Sequence, residues 1–556
     1  MIHATGPMLS IDVGTRDVRE IDINEECEAF LGGRGLATKL AHDRIPFDAD
    51  PLGADNRAYV STGPLQQSQM SFTGRMNMTA LSPLTDGLVS SNAGGYLSRN
   101  FVGTGHPVVE LGGHSDELLA VHVTDDGVTF EAVPELAEAH VPEITEAMGD
   151  RHGLESENLL AIGPAGENTV RFASVMTYDS RAFGRGGIGA VLGAKNIKVV
   201  SFEGDSQPSV ELPDEPQGRI HREAATTDDM MKRQGTTAGT QFINDNFSLP
   251  TRYFSEMSFE DVEEINGDAV EDKKYKKAAC SMCAFACKLP TRDEDTGVET
   301  EGPEFETVMS FGSNQGIDDV VDVMQANELC DRLGMDTISA GVTVAAYLAA
   351  EDEFGNAELV QRLVPQIAHR EGVGDLLAEG VSRAHSELGV DNWSVKGLEF
   401  AAHDGRVLHG QGLSYAVANR GADHMYGNML NPEYDGVVDP EGLSPEKIEM
   451  LIHRENKMAV RDSGVICAFG MGDYVTEDDI AALFETDWDR LDDLGGRVID
   501  LERHFNNQRG IDRTDDCLPY ELPEFESALD RYYDRRGWTD RGTVTTDSDS
   551  PVSAAD

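Results

Sequence analysis

Cysteine is scarce in this chain, since only seven of its 556 residues are Cys. So few thiols exclude a framework of disulfide bonds and are typical of a reducing cytoplasm, where we expect the protein to reside. The scarcity makes one feature informative, because three of the seven lie within a single stretch of eight residues, at Cys280, Cys283 and Cys287.

Basic residues are also few. The chain has 45 Lys and Arg against 100 Asp and Glu, a formal net charge of −55, and only 12 of the 45 are Lys. Nucleic acids and anionic membranes are bound by Lys/Arg patches, so this composition argues against both as partners. Concentrated salt tolerates such a surface, because at ~1 M the Debye length falls to roughly 3 Å. We therefore interpret the charge as a solvated, halophilic surface.

Long apolar segments are lacking as well. The longest, Thr337–Ala350, is bounded by Asp336 and Glu351 and is shorter than the roughly 20 residues that a membrane-spanning helix needs. The first thirty residues alternate between polar and apolar, so we expect no secretory signal. We expect no association with a membrane.

The hydrophobic pattern changes after about residue 206, which predicts an α+β fold. Before that point, alternation predicts strands around a turn at Gly14 and a hairpin over Leu118–Val133. Beyond a polar stretch at Glu203–Gln217, apolar residues recur at helical spacing. The predicted helices are Val320–Leu333, Thr337–Ala350, Glu358–His369, Gly374–Leu388, Glu446–Val460 and Asp478–Phe484. We predict a β-rich domain over 1–206, helical domains over 207–405 and 406–541, and a disordered tail over 542–556.

The clustered cysteines have the spacing C-x2-C-x3-C, and a fourth candidate, Cys467, follows Cys287 by 180 residues. Three close thiolates with one remote thiolate are typical of a [4Fe–4S] cluster, which would make the protein an electron carrier or redox enzyme. Zinc is the alternative metal, although tetrahedral zinc favours paired C-x2-C motifs over this arrangement.

Residues Gly184–Gly189 satisfy the pattern G-x-G-x-x-G. A dinucleotide-binding unit needs a crossover helix of about a dozen residues after this loop, and only about six precede the next predicted strand, Ile197–Phe202. We therefore reject a dinucleotide site. Two interpretations are left, a phosphate cradle assisted by Arg181 and Arg185, or a tight turn that needs positive φ angles.

Further motifs resemble the family of tungsten-containing aldehyde ferredoxin oxidoreductases. The resemblance runs in order from about Asp12 to Trp538, which makes it specific for the family but not for a substrate, and it points to a halophilic archaeal-type member. The motifs are Ser82–Thr85, Ser91–Gly95, Ile162–Asn168, Ser180–Gly187, Glu301–Glu306, Asn419–His424, Asp512–Pro519 and Arg536–Trp538.

The resemblance implies an N-terminal β-rich, pterin-binding platform followed by two mainly α-helical domains. A tungsten ion held by two pterins would lie between them, near a [4Fe–4S] cluster, and Mg²⁺ would bridge the pterin phosphates through the carbonyls of Asn92 and Ala182. The cluster ligands implied are Cys280, Cys283, Cys287 and Cys467. The implied pterin contacts are Arg75, Asn92, Gly94, Gly95, Arg181, Ala182, Gly184, Arg185, Asp331, Asp336 and Asp462.

The resemblance also implies two catalytic side chains. Glu306 would deprotonate the attacking water or take the aldehyde hydrogen, and His424 would donate a hydrogen bond to an oxygen at the reacting centre. Glu304 replaces Glu306 in this role if the register of the motif differs. The implied reaction converts aldehydes to carboxylic acids and passes electrons through the cluster to ferredoxin. Alternatives are a relative that reduces carboxylates or activated aromatic rings, and a non-catalytic iron–sulfur subunit. Molybdenum in place of tungsten is also open.

Partner contacts are predicted at two places. The basic run Lys273–Lys277 lies just before Cys280, and we hypothesise that it docks an acidic ferredoxin; the alternative is a solvated turn. Where some family members bind an interfacial iron, this chain has Gln325 and Glu328, so a homodimer, if formed, is expected without that iron.

Of the other cysteines, Cys330 and Cys517 are predicted to be buried thiols, and Cys27 has no predicted role.

Overall fold

The computed structural model describes residues 1–178, 180–206 and 210–545. In these ranges the chain begins with a β-rich region containing two six-stranded sheets and continues with mainly helical regions, which confirms the predicted fold class. No helix in the described ranges combines the length and apolar composition needed to cross a bilayer.

Each large sheet is formed by strands that follow one another in the chain. The first sheet contains β1 (Met8–Asp12), β2 (Asp17–Ile21), β3 (Ala58–Ser61), β4 (Met76–Leu81), β5 (Leu88–Ala93) and β6 (Val108–Gly112), in the order β2-β1-β6-β3-β4-β5. The second contains β7 (Leu119–Thr124), β8 (Gly127–Ala132), β9 (Leu159–Ala161), β10 (Val175–Thr177), β11 (Arg181–Phe183) and β12 (Ile197–Glu203), in the order β11-β10-β9-β12-β7-β8. Two short hairpins follow, β13 (Pro290–Arg292) with β14 (Glu299–Glu301), and β15 (Ser394–Val395) with β16 (Leu398–Glu399).

Short helices connect the strands, and longer ones form the rest of the chain. The helices that precede Phe305 are α1 (Asn24–Phe30), α2 (Gly33–Arg44), α3 (Leu97–Gly103), α4 (Val141–His152), α5 (Pro164–Glu167), α6 (Ile188–Ala194), α7 (Asp214–Thr226), α8 (Met231–Gln234), α9 (Thr240–Asp245) and α10 (Gly267–Lys273). The later helices are α11 (Phe305–Thr307), α12 (Val320–Leu333), α13 (Thr337–Glu351), α14 (Ala357–Ala368), α15 (Gly374–Leu377), α16 (Val381–Leu388), α17 (His409–Val417), α18 (Leu430–Tyr434), α19 (Pro445–Ser463), α20 (Glu477–Leu483), α21 (Trp488–Gln508) and α22 (Phe525–Arg536).

Local sequence signals explain most of these elements. The turn at Gly14 joins β1 and β2, and the predicted hairpin is formed by β7 and β8, so both predictions are confirmed. Helix α12 begins and ends as predicted, because the Asp319 side chain accepts a hydrogen bond from the amide of Val321 and Gly334 adopts φ 75° at its end. The predicted helix Gly374–Leu388 is wrong in one respect, since it breaks at Gly380, where φ is 81°.

The apolar cores show how the regions fit together. The two sheets share one core, which includes Leu9, Val60 and Val121. A second core joins α1 and α2 at the start of the chain to α19–α22 near its end, through Leu36, Leu494 and other apolar side chains. Helices α19–α22 therefore pack directly on α1 and α2, so residues near the end of the sequence contact residues near its beginning.

The end of the described chain is packed. Gly542 is buried, and its carbonyl accepts a hydrogen bond from Arg503 Nε at 2.7 Å. The amide of Val544 donates to Asn507 Oδ1 at 3.0 Å. The rest of the predicted tail, residues 546–556, lies outside the described residues.

Candidate cofactor cavity and cysteine site

A cavity of about 180 Å³ lies where the first sheet meets the helical regions. Its walls carry four arginines and two aspartates, an unusual excess of positive charge in a chain with a net charge of −55. Such a wall is suited to an anion such as a phosphate ester. Six of the predicted residues line it: Arg75, Asn92, Gly184, Arg185, His424 and Asp462.

Arg75 connects this cavity to the cysteines. Its Nη2 donates to the carbonyl of Asn92 at 3.0 Å, and its Nη1 lies 3.9 Å from Cys467 Sγ. Burial lowers the pKa of Arg75, but the negative charges of Cys467, Cys280 and Asp462 outweigh this and raise it above its usual value. The guanidinium is therefore a permanent cation between the two sites.

Arg185 and Asp336 form an ion pair at the edge of the cavity, with 3.4 Å between Nε and Oδ2. Asp336 is also the N-cap of α13, where it accepts hydrogen bonds from the amides of Ile338 and Ser339, both at 3.2 Å. Its carboxylate is therefore fixed by the start of the helix and holds Arg185 against the cavity wall.

The two ends of the glycine-rich loop have different surroundings. Gly184 and Arg185 face the cavity. Gly186 and Gly187 adopt φ of 96° and 74°, and a Cβ on Gly187 would lie only 2.0 Å from the carbonyl oxygen of Arg171. The latter two glycines are thus required by a tight turn and close packing. Helix α6, which follows, has seven residues, in agreement with the rejection of a dinucleotide site.

The other predicted pterin contacts lie outside the cavity lining. Asp331 is on α12 and accepts hydrogen bonds from Asn327 Nδ2 at 3.1 Å and Thr300 Oγ1 at 3.5 Å. Burial raises its pKa well above the usual value, and Arg181 offsets this only in part. Arg181 itself, on β11 beside Ala182, forms an ion pair with Glu301.

Gly94 and Gly95 lie at the cysteine stretch. The carbonyl of Gly95 accepts a hydrogen bond from the amide of Ser281 at 2.9 Å, and a Cβ on Gly94 would lie 3.0 Å from Cys280 Sγ. A side chain at position 94 would therefore displace the first cysteine. From the other side, the amide of Cys467 donates to the carbonyl of Phe72 at 2.7 Å.

The four predicted ligands converge, since Cys280, Cys283, Cys287 and Cys467 affect one another electrostatically. Burial raises the pKa of the Cys287 thiol well above its usual value, and Cys467 and Cys280 add to this effect. Four thiolates here therefore require bound positive charge. Within the part of the chain that the structure describes, no three of these sulfurs lie within 4.8 Å of one another.

Of the three other cysteines, Cys27 and Cys330 are buried. Cys517 is exposed, so the prediction of a buried thiol is wrong there. Its neighbour Asp516 takes the interior position instead and forms ion pairs with Arg503 and Lys396. The chain is turned so that the charged side chain is paired inside the protein and the thiol faces solvent.

Glu306 and His424 face each other, as a shared catalytic role requires. Glu306 lies on the short helix α11, and its Oε2 accepts a hydrogen bond from the amide of Ala402 at 2.8 Å. Its Oε1 lies 3.3 Å from His424 Nε2 and accepts no hydrogen bond from the described residues. One carboxylate oxygen is thus held in place while the other is left for a proton or a substrate.

Glu304, the alternative to Glu306, faces the other way. It accepts hydrogen bonds from Arg181 Nη1 and Thr236 Oγ1, both at 3.0 Å. It also contributes to the electrostatics of Cys287. Its surroundings favour a role near the cysteines, which leaves Glu306 as the carboxylate beside the histidine.

His403 belongs to the same group, and the sequence offered no motif for it. Its Nε2 lies 3.8 Å from Glu306 Oε1, and its ring centroid lies 5.7 Å from that of His424. Burial, assisted by His424, holds the pKa of His403 well below its usual value. A neutral imidazole therefore lies against the proposed catalytic carboxylate.

Three charged residues of the cavity wall were also missed, although two lie inside a recognised motif. Arg420 and Asp423 form an ion pair, and Asp423 accepts two amide hydrogen bonds at 2.8 Å. Burial raises the pKa of Asp423, but Arg420, His424 and Arg185 outweigh it and hold it below its usual value. Arg461 donates to Asp462 Oδ1 at 2.7 and 2.9 Å. The only signal for these residues in the sequence is their position inside a recognised motif or next to a predicted site residue.

Comparisons with known proteins give a consistent result. Residues 8–204 match the family model of the aldehyde ferredoxin oxidoreductase N-terminal domain, and residues 212–548 match that of its domains 2 and 3. Curated relatives include tungsten-containing aldehyde ferredoxin oxidoreductases of Pyrococcus furiosus, 32% identical over 97% of both chains, and of Thermococcus kodakarensis, 33% identical over 99% of both.

Two proteins of lower identity are also similar to this chain. A WOR-like subunit of an aliphatic sulfonate oxidoreductase from Pyrococcus furiosus is 26% identical over 98% of this chain and 96% of its own. Among solved structures, the active-site complex BamBC of benzoyl coenzyme A reductase with 1,5-dienoyl-CoA superposes with a TM-score of 0.84. It covers 99% of this chain and 97% of that one at 21% identity, a likeness of fold.

Proposed function

Because the chain belongs to the aldehyde ferredoxin oxidoreductase family, we propose that it oxidises aldehydes to carboxylic acids at a tungsten centre bound by two pterins. The electrons would leave through a [4Fe–4S] cluster to ferredoxin. One observation carries the proposal: Glu306 and His424 lie together, near an arginine-lined cavity that Arg75 connects to Cys467.

The residues of the cavity fit the proposed cofactor. Arg75, Arg185, Arg420 and Arg461 offer guanidinium groups for its phosphates, and Arg420 Nε is buried without a hydrogen-bond partner among the described residues. The Asp462 carboxylate suits the N–H-rich edge of a pterin. When bound, this group supplies two-electron redox chemistry that side chains cannot. We further propose that Mg²⁺ binds at the Asn92 and Ala182 carbonyls.

The chain's own residues would manage the protons. Oxidation of an aldehyde with water gives a carboxylic acid, two protons and two electrons. Glu306 Oε1, which has no competing donor among the described residues, would accept a proton from the water or the substrate. His424 Nε2, 3.3 Å away, would donate a hydrogen bond to the substrate oxygen and orient it toward the carboxylate.

The electrons would pass from the cavity toward the cysteines one at a time, because an iron–sulfur cluster is a one-electron carrier. Ferredoxin is therefore the proposed acceptor. The proposed docking surface lies beside Cys280, where Lys276 and Lys277 are exposed. Lys277 forms no ion pair with any described residue, and Lys276 lies over the ring of Tyr275 at 5.1 Å.

The rest of the basic run is already engaged. Lys273 forms an ion pair with Asp293 at 2.7 Å. Lys274 Nζ donates to the carbonyls of Lys232 at 2.9 Å and Arg233 at 3.1 Å. The docking hypothesis is therefore narrowed to Lys276 and Lys277, which are placed to meet carboxylates of a partner.

Metal analysis combined with a substrate panel tests the proposal. Protein produced with tungstate should contain tungsten and about four irons per chain, and it should reduce a viologen dye with several aldehydes. The panel should include an aliphatic sulfonate, a carboxylate and an aromatic thioester as alternatives. Tungsten-replete protein that turns over none of the aldehydes would contradict the proposed reaction, and iron without tungsten or molybdenum would indicate an electron carrier.

A further inference from the structure

Three side chains with metal-binding atoms converge on the second sheet, outside the cavity and the cysteine site. They are His122 on β7, Glu131 on β8 and His152 at the end of α4, and their ligand atoms all lie within 4.8 Å of one another. Glu131 Oε2 is 2.7 Å from His152 Nε2 and 3.3 Å from His122 Nε2. Both imidazoles thus turn the same ring nitrogen toward one carboxylate oxygen.

Two of these side chains are positioned by the sheet. In the β7–β8 pairing, His122 lies opposite Thr129 and Glu131 lies two residues further along β8, so His122 and Glu131 share one face. The ring of His122 is fixed by a 2.7 Å hydrogen bond between its Nδ1 and Ser201 Oγ on β12. An anchored second ring nitrogen is the usual environment of a metal-binding histidine, because it sets the direction of the first.

The third is positioned by the end of a helix. His152 is the last residue of α4, and Gly153, with φ 71°, turns the chain away directly after it. Arg151 donates to Glu131 Oε1 at 3.1 Å, which occupies one carboxylate oxygen and leaves Oε2 to the two histidines. The carboxylate is therefore arranged as a monodentate ligand.

We propose that His122, Glu131 and His152 bind one divalent transition-metal ion of the zinc class, with water as the fourth ligand. Two imidazole nitrogens and one carboxylate oxygen are ligands that Zn²⁺ accepts in tetrahedral geometry, whereas Mg²⁺ and Ca²⁺ prefer oxygen alone. The ion would tie the C-terminal end of α4 to the β7–β8 hairpin. Without metal, the same residues form only hydrogen bonds between the two imidazoles and the carboxylate.

Zinc titration of the complete, cofactor-loaded protein after treatment with a chelator tests the proposal. Calorimetry should show one strong site per chain, and His152→Gln, an exposed and structurally mild change, should weaken it at least tenfold. The matched control is His369→Gln, which removes a His–Glu contact, 2.9 Å from Glu138, that belongs to no group of three metal-binding side chains among the described residues. Its zinc affinity should equal that of the unaltered chain.

X-ray absorption at the zinc edge identifies the ligands. Zinc bonded to nitrogen and oxygen at about 2.0–2.1 Å supports the proposal, whereas zinc bonded to sulfur at about 2.3 Å would place the ion at the cysteines. The proposal is overturned by that sulfur signature, by the lack of a strong zinc site, or by equal zinc affinity of the His152→Gln and His369→Gln variants.

Discussion

The two sides of the short helix α11 have very different surroundings. Each side is marked by a glutamate, Glu304 at the N-cap on one side and Glu306 on the other. Glu304 is bound by Arg181 and Thr236 on the side of the cysteines. Glu306 lies against His424 and the buried His403, with one oxygen free of hydrogen bonds from described residues. We call these the cysteine face and the substrate face.

The difference shows that surroundings, more than residue type, decide the role of a carboxylate. On the cysteine face a guanidinium and a hydroxyl both donate hydrogen bonds to Glu304, so its carboxylate is already engaged. On the substrate face the neighbours are two imidazoles, and Glu306 Oε1 accepts no hydrogen bond from the described residues.

Glu306→Gln should lower kcat for aldehyde oxidation by about 10³-fold, because loss of a general base costs 10²–10⁴-fold. Glu304→Gln, the matched change on the cysteine face, should lower it by less than about tenfold. Steady-state rates with a viologen dye, normalised to tungsten content, measure both. Equal losses in the two variants would remove the distinction between the faces.

Arg75→Gln should weaken retention of the cofactor by about 10- to 100-fold, since a hydrogen bond to a charged group contributes roughly 1.5–3 kcal/mol. Arg75 lines the cavity and contacts Cys467, so the change acts at the junction of the two sites. Tungsten per chain after extended dialysis is the readout. Arg16→Gln, which breaks an exposed pair with Glu117, is the control, and full tungsten retention by Arg75→Gln would refute the assignment.

His403→Phe should change the pH dependence of stability. The folded pKa of His403 is lowered, so between pH 6.5 and the lowered value the unfolded chain binds a proton that the folded chain does not. Stability therefore falls as the pH drops below about 6.5. When the pH is lowered from 7.5 to 5.5, the free energy of unfolding should fall by about 1 kcal/mol less in the variant than in the unaltered chain. Melting curves at matched salt measure this, and parallel pH profiles would mean that the histidine is not held neutral.

The Lys276→Glu, Lys277→Glu double variant should raise KM for ferredoxin about threefold at low salt, because steering by exposed charges is screened and modest. Dye-linked rates should be unchanged, since the substrate face is untouched. Arg531→Glu with Arg535→Glu on α22 applies the same charge change elsewhere on the surface. Equal KM values for the two double variants would exclude docking beside Cys280.

Sequence patterns predict structure correctly where a local signal exists. Asp319 and Gly334 define the ends of α12, and alternation around Asp125 and Asp126 defines the β7–β8 hairpin. The spacing of the three clustered cysteines indicates a metal cluster from the sequence alone. Family resemblance identifies Glu306 and His424, which the fold brings together.

The rest depends on long-range packing that a sequence does not display. His403 lies beside Glu306 although 97 positions separate them, and no motif marks it, so the contact exists only in the folded chain. Asp331, expected at the pterins, is held away from the cavity lining by Asn327 and Thr300. The site at His122, Glu131 and His152 combines a hairpin with a helix end, so no spacing along the chain indicates it.

The central claim is that electrons enter at the substrate face and leave by the cysteine face. Electron paramagnetic resonance of the cluster after anaerobic addition of an aldehyde, without any external acceptor, tests it most directly. We predict that the reduced-cluster signal forms in the unaltered protein and forms about 10³-fold more slowly in Glu306→Gln, whereas dithionite gives the signal in both. An aldehyde-induced signal that forms at an equal rate in Glu306→Gln, or no cluster signal in protein that oxidises aldehydes with a dye, would contradict the claim.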